Sequence, residues 1–184
     1  MIMDRENLFK EFLEECKKNN QICGAGNPYA KILLVGQEHY AKERIDNKQW
    51  IDYLKGNYGY CSIDNNPWIM KDENDNRWRH FQNPSKTWYY YQHLIEKSLP
   101  KRLNRSGRGV RDFEFDAFTT ELNNEAKPSS ANDREGVKDN VESRLKIFEQ
   151  SKYIQSFPVV VLACGNYLIN RVDIILDSFS IIST

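Results

Sequence analysis

Four side chains that can titrate, donate hydrogen bonds or stack follow directly after a short apolar run. Gln37, Glu38, His39 and Tyr40 come immediately after Gly36, which ends that run. Partial burial at a strand end raises a carboxyl pKa, so Glu38 is a candidate general base and His39 a candidate acid or hydrogen-bond donor. Gln37 and Tyr40 can hydrogen-bond to a ligand or stack on it. The same residues also fit a surface turn with a solvated acid and imidazole, and the pattern leaves both interpretations open.

A second group of candidate residues lies in the segment 101–111, which carries five basic residues and no acid. Lys and Arg together number 26, as do Asp and Glu, so the chain has no net charge and any binding of nucleic acid must be local. The segment fits either a solvated loop or a loop that contacts phosphates. As phosphate contacts we predict four residues here and one after the last buried strand: Lys101, Arg102, Arg105, Arg108 and Asn166.

The elements that must position these residues follow from the hydrophobic pattern. Residues 32–35 and 159–164 are apolar without alternation, which predicts strands buried on both faces, as in a parallel sheet. Ligands of open α/β sheets collect beyond the carboxyl ends of such strands, which is where the residues 37–40 and Asn166 lie. The spacing predicts helices over 6–18, 47–54, 86–99, 135–151 and after 166, strands over 31–35, 113–118, 159–164 and 179–182, and a polar connection over 119–133. This order predicts an α/β fold with a parallel or mixed sheet.

Length and composition limit the class of protein. The 184 residues suffice for one domain with its own core, and a single domain over 1–184 is expected. The four cysteines form no Cys-x-x-Cys pair, so thiols are expected, with no metal site and no cofactor. No apolar stretch approaches the ~20 residues that cross a bilayer. We therefore expect a soluble, cytoplasmic monomer that does not bind membranes.

The segment around the first candidate group, GNPYAKILLVGQEHY at residues 26–40, resembles the first motif region of the uracil-DNA glycosylase superfamily. In that superfamily a Gly-Asn-Pro-x-Ala-Lys-Ile run leads a strand into Gly-Glu-Ala-Pro-Gly or Gly-Gln-Asp-Pro-Tyr-His. A polar-ended strand near 113–118 follows in the same order. The segment FPVVVLACG at 157–165 is similar to the superfamily's Pro-x-Val-Val-x-Ala-Leu-Gly strand.

The resemblance implies a three-layer α/β/α sandwich with a short, mainly parallel central sheet. It also implies a DNA repair enzyme that flips a deaminated base out of DNA, after which water attacks the sugar's anomeric carbon. Glu38 would then orient or activate the water and stabilise the positive charge on the sugar, with His39 beside it. The partner would be DNA, in single- or double-stranded form. The residues predicted to bind the base are Gln37, Tyr40, Tyr58, Tyr60, Phe118 and Asn123.

The sequence also departs from the superfamily's pattern. It lacks the proline after the acid, and Phe118 aligns with the Asn that reads the base edge, with Asn123 a few residues later. It has no histidine after His93, whereas the superfamily's last loop carries one. Two further hypotheses therefore stand beside the enzyme: a catalytically inactive nucleobase or nucleic-acid-binding module of the same fold, and an α/β interaction domain whose pocket has no activity.

Overall fold

A computed structural model describes residues 4–19, 21–40, 86–99, 113–127, 134–165 and 179 of the chain. Its helices and strands are α1 (Arg5–Lys18), β1 (Ala25–Gly26), β2 (Ile32–Tyr40), α2 (Lys86–Ser98), β3 (Ala117–Lys127), α3 (Arg134–Gln150), α4 (Lys152–Gln155) and β4 (Val159–Leu162), with a 3-10 turn at Phe113–Phe115. The predictions of helices over 47–54 and after 166 lie outside the described residues. So does the predicted final strand, apart from Phe179. None of the helices in the described ranges has the length and apolar character that crossing a bilayer requires.

The four strands form one sheet in the order β1-β3-β2-β4. Strand β2 runs parallel to β3 on one side and parallel to β4 on the other, whereas β1 pairs antiparallel with β3 at the edge. Leu33, for example, lies opposite Phe118 on β3 and Val160 on β4. The predicted α/β class with a mainly parallel sheet is therefore confirmed.

Helices pack on both faces of β2, which is why its first half is apolar without alternation. Leu33 and Val35 belong to a larger core cluster with residues of α1, α3 and α4. Ile32 and Leu34 face the other way and join a smaller cluster that includes Tyr91 and Ile95 of α2. The central strand thus has two buried faces and carries its polar residues only beyond Val35.

Helix α1 is amphipathic and capped, as its sequence predicts. The Asp4 carboxylate accepts a hydrogen bond from the backbone N–H of Glu6 at 3.1 Å and caps the amino terminus. Its buried side chains recur at helical spacing and are Leu8, Phe9, Phe12, Leu13 and Cys16. The predicted bounds of 6–18 differ from the observed helix by one residue.

The Gly-Asn-Pro turn connects the edge strand to the central strand. The Asn27 side-chain oxygen accepts from the N–H of Tyr29 at 2.8 Å, and its NH₂ group donates to the carbonyl of Phe115 at 2.7 Å. The backbone N–H of Asn27 also donates to the carbonyl of Ala117 at 3.1 Å. This asparagine therefore fixes the turn before β2 against the beginning of β3.

The predicted strand over 113–118 is wrong for its first four residues, and the predicted polar connection over 119–133 is wrong as far as Lys127, beyond which residues 128–133 lie outside the description. Phe113–Phe115 forms a 3-10 turn, and β3 begins at Ala117 and continues to Lys127. The polar side chains of β3 are accommodated by hydrogen bonds: the Thr119 hydroxyl donates to the carbonyl of Ala25 at 3.2 Å, and the Thr120 hydroxyl donates to that of Cys23 at 2.9 Å. Strand β2 likewise extends beyond its predicted end to Tyr40.

Candidate functional site

The candidate site lies where β2 and β3 continue side by side past the apolar part of the sheet. Gly36 is paired with Glu121, and Glu38 is paired with Asn123. The register then shifts, so that Tyr40 lies opposite Lys127. Irregular pairing of this kind is frequent next to active sites, because it ends the regular ladder and redirects side chains. The segment from Gln37 to Tyr40 is therefore the second half of the central strand rather than a surface turn.

Asn123 is a fully buried amide at this end of β3. Burial of an amide is costly unless its hydrogen bonds are made, so such a side chain occupies a defined orientation. Its backbone lies opposite Glu38, the predicted general base. The structure thus brings together two of the residues that the sequence singles out from segments about 85 positions apart.

The carboxylate of Glu121 lies directly against the backbone of Gly36. A Cβ atom added to Gly36 would overlap both carboxylate oxygens of Glu121 and its carboxyl carbon. Only glycine leaves room for this approach at the end of the apolar run. The side chain of Glu121 is half-buried, and one of its carboxylate oxygens has no contact with solvent.

Two further buried groups from other elements interact electrostatically with this carboxylate. Tyr91 of α2 is 4% exposed, and its phenol oxygen has no hydrogen-bond partner among the described residues. Burial raises the pKa of this phenol, and the charge of Glu121 raises it further. Cys164, which follows β4, donates its S–H to the carbonyl of Val35 at 3.3 Å. Burial first and Glu121 second raise the pKa of its thiol to about 12.

Arg144 of α3 holds the backbone of β3 at the site. Its Nε–H donates to the carbonyl of Glu121 at 3.1 Å, and its Nη2 donates to the hydroxyl of Thr120 at 2.6 Å. The guanidinium is fully buried and lies 4.7 Å from the ring centroid of Phe148. Arg144 thus holds β3 from one face of the sheet at the position where Glu121 lies beside Gly36 of β2.

The structure removes Phe118 from the predicted base-binding residues. Its ring is fully buried in the larger core cluster and packs at centroid distances of 5.6 Å from both Phe9 and Tyr153. A ring enclosed in this way cannot stack on a ligand. The prediction failed because the strand begins later than the sequence suggests, so Phe118 lies near the start of β3 and not at its end.

Apart from Phe118 and Asn123, the predicted site residues lie either on β2 or in segments outside the described residues. Gln37, Glu38, His39 and Tyr40 follow one another on β2. The predicted stacking and phosphate-contacting residues lie outside the described residues: Tyr58, Tyr60, Lys101, Arg102, Arg105, Arg108 and Asn166. Within the described ranges, no group of three His, Cys, Asp or Glu side chains is arranged to bind a metal ion.

Glu121, Tyr91 and Cys164 are members of the site that sequence reasoning missed. Glu121 had one available signal, since it is an acid inside the segment Thr-Thr-Glu-Leu, where β-branched and apolar residues surround it. No comparable signal marks Tyr91 or Cys164 in the sequence, because each fits the pattern of a core residue in a helix or next to a strand.

A separate cavity of about 540 Å³ lies at the opposite end of the parallel strands, where β2 and β4 begin. It is lined by the first residues of β2 and β4 and by the last turn of α2, including Ile32, Val159 and Leu94. Its lining is mostly apolar and includes none of the predicted catalytic or base-binding residues. The polar groups that could carry chemistry therefore lie at the carboxyl ends of the strands, as expected for a parallel sheet.

Comparisons with protein-family models, with curated proteins and with solved structures found no match to this chain. The resemblance to the uracil-DNA glycosylase superfamily accordingly rests on the sequence alone, at residues 26–40, 113–118 and 157–165. Chemically, a buried amide, a half-buried carboxylate and a buried phenol lie beside the part of β2 that carries Glu38. Such a set can bind a polar ring and position a water molecule beside it.

Proposed function

We propose that the chain is a uracil-DNA glycosylase-like hydrolase that cleaves the N-glycosidic bond of a deaminated base in DNA. The observation that carries the proposal is the pairing of Glu38 with Asn123. The first belongs to the motif that resembles the superfamily, and the second is a buried amide of the type that can read a base edge. The three-layer α/β/α arrangement belongs to the same proposal and is supported by the helices packed on both faces of β2.

The proposed reaction needs a base outside the stack and a water molecule at the sugar. The water oxygen forms a bond to the anomeric carbon while the bond from that carbon to the base nitrogen breaks. Glu38 accepts the proton of the water, and its negative charge stabilises the positive charge that develops on the sugar. The electron pair of the broken bond leaves with the base, which is protonated to complete the balance. His39, the next residue on β2, is the candidate donor of that proton.

The test is base release from oligonucleotides that carry uracil, hypoxanthine or xanthine, in single- and double-stranded form. We expect release by the chain and a loss of at least about 100-fold in the Glu38→Gln variant, since the amide cannot accept the proton. Glu11→Gln is the matched control, because Glu11 is an exposed acid of α1 and its substitution should leave release unchanged. Release that persists in Glu38→Gln would come from another activity and would overturn the assignment.

Absence of release from every substrate, with protein in excess over DNA, would also overturn the hydrolase. Measured binding of the same oligonucleotides would then decide between the two other hypotheses. Binding that weakens with salt would indicate a nucleic-acid-binding module of the same fold. No binding would indicate an interaction domain.

A further inference from the structure

Strand β4 forms an edge of the sheet, and its residues are exposed to solvent. In the order β1-β3-β2-β4 it pairs with β2 alone among the described strands. All of its residues are apolar, yet Val159 is 47% exposed and the three that follow are each partly exposed. The residues opposite those three on β2, Leu33, Leu34 and Val35, are completely buried. An uncharged apolar strand at an open edge is a template for pairing with another β-strand.

The hydrogen bonds between β4 and β2 determine which backbone groups of β4 remain available. The N–H of Ala163 donates to the carbonyl of Val35 at 2.7 Å. Successive residues of a strand direct their backbone groups to opposite sides, so Val161 also faces β2, whereas Val160 and Leu162 face outward. Among the described residues, none pairs with the outward N–H and C=O groups of Val160 and Leu162. Such groups require water or the backbone of a further strand.

We propose that β4 is a dimerisation strand, which pairs antiparallel with β4 of a second copy of the chain across a twofold axis at Val161. In this register Val160 of each copy lies opposite Leu162 of the other, and each such pair exchanges both of its backbone hydrogen bonds. A twofold axis makes one surface its own partner, so all the outward groups of these residues are satisfied together. The dimer replaces the monomer that the sequence predicts.

The side chains of β4 fit the same register. Val160 and Leu162 pack against the larger core cluster, and Val161 packs against the smaller cluster on the other face. A twofold axis perpendicular to the sheet keeps each face on its own side, so apolar side chains meet apolar side chains on both faces. The next pair places the exposed Val159 opposite the exposed Ala163 of the second copy, where the small alanine leaves room for the valine. A charged segment in this position would bury its charges without partners, so the sequence of β4 favours a second copy.

Sedimentation equilibrium of the full chain, from micromolar to millimolar concentration, tests for the dimer. We expect a reversible association to twice the monomer mass of 21.7 kDa. Two double variants that differ in the sign of one charge test the register. Val159→Lys with Ala163→Lys sets like charges opposite each other, whereas Val159→Lys with Ala163→Glu sets opposite charges there. The first should dimerise at least about tenfold more weakly than the second at low salt, and circular dichroism verifies that both are folded.

A cysteine substitution tests the position of the twofold axis. Val161→Cys should form a disulfide-linked dimer when diamide is added as the oxidant, because residues at the axis face each other at a Cα separation of about 4.5 Å. Val159→Cys is the matched control. It is the more exposed position but lies opposite Ala163, so it should link at least about tenfold more slowly. The unmodified chain measures any link through its own cysteines.

A single species of 21.7 kDa at every concentration would overturn the inference, since the edge would then be covered by another segment, another protein or water. A dimer that both double variants form equally well, or that Val161→Cys does not link faster than Val159→Cys, would use a different surface and would also overturn it. These outcomes are independent of base release, because β4 carries none of the residues assigned to hydrolysis.

Discussion

At the scale of single residues, Arg144 is the buried group on which β3 most depends. Its five N–H groups are directed at neutral acceptors, namely the carbonyls of Glu121 and Cys23, the side-chain oxygens of Gln21 and Thr120, and the sulfur of Cys16. We expect Arg144→Met to lower the free energy of unfolding by about 3 kcal/mol or more, because several buried acceptors lose their donor at once. Urea unfolding measures this change.

The control for this prediction lies two positions along the same helix. Lys146 is exposed, so Lys146→Met should change the free energy of unfolding by no more than about 0.5 kcal/mol. Equal stability of the Arg144→Met variant and the unmodified chain would mean that the guanidinium contributes no more than a methionine side chain of similar volume. That result would contradict the role assigned to it here.

Gly36 and Glu121 should be energetically coupled, because the carboxylate occupies the space of the missing Cβ. Gly36→Ala should destabilise the chain by about 1–2 kcal/mol as the carboxylate is displaced. In the Glu121→Ala background the same substitution should cost about 1 kcal/mol less, since the clashing group is gone. A double-mutant cycle from urea unfolding measures the difference. Additivity within about 0.5 kcal/mol would show that the two residues do not share this space.

At the scale of elements, the sequence predicts the helices better than the long central strands. Helix α1 has five buried residues at helical spacing and a capping acid, so its bounds are readable from local pattern alone. The bounds of strand β3 cannot be predicted in this way, because Thr119, Thr120 and Glu121 resemble a polar connection until their hydrogen-bond partners are known. Those partners, such as the Cys23 carbonyl 97 positions away, are set by the tertiary fold. Local periodicity cannot supply them.

The two-residue edge strand β1 depends on the glycine that precedes it. Gly24 has φ +139°, and a Cβ there would overlap the backbone carbonyl of Thr119 and lie 2.8 Å from the ring of Phe118. We expect Gly24→Ala to cost about 3 kcal/mol or more, because a backbone oxygen and a core ring cannot move aside. Thermal or urea unfolding tests this. Lys31→Ala, an exposed change in the connection between β1 and β2, should have little effect, and a neutral Gly24→Ala would show that β1 tolerates rearrangement.

At the scale of the whole molecule, the edge of the sheet that holds the candidate site was predictable and its composition was not. Two apolar runs that each end in glycine indicate parallel strands whose carboxyl ends meet, and this rule alone places Glu38. Glu121, Tyr91 and Cys164 come from three separate segments, and only packing brings them together. The misplaced Phe118 has the same origin, since a shift in where a strand begins exchanges a core position for a strand-end position.

The buried titratable groups predict how the whole fold responds to alkali. Burial raises the pKa of the Cys164 thiol from 9.0 to about 12, and it also raises the pKa values of the Tyr91 and Tyr153 phenols above 10.0. The folded chain therefore holds these protons more tightly than the unfolded chain. The free energy of unfolding should be unaffected by these groups below about pH 9. Above it, the free energy should fall by up to about 1.4 kcal/mol per pH unit for each group that titrates only in the unfolded state.

The contribution of the Cys164 thiol can be isolated by comparing how the stability of the unmodified chain and that of the Cys164→Ala variant depend on pH. Urea unfolding at neutral pH and at about pH 10 should show a smaller loss of stability for Cys164→Ala than for the unmodified chain, because the variant has no thiol to ionise on unfolding. The comparison of slopes is independent of any constant cost of the substitution itself. Parallel slopes would mean that the thiol ionises as readily in the folded chain as in the unfolded one. That outcome would contradict the buried, Glu121-facing position that the structure gives to Cys164.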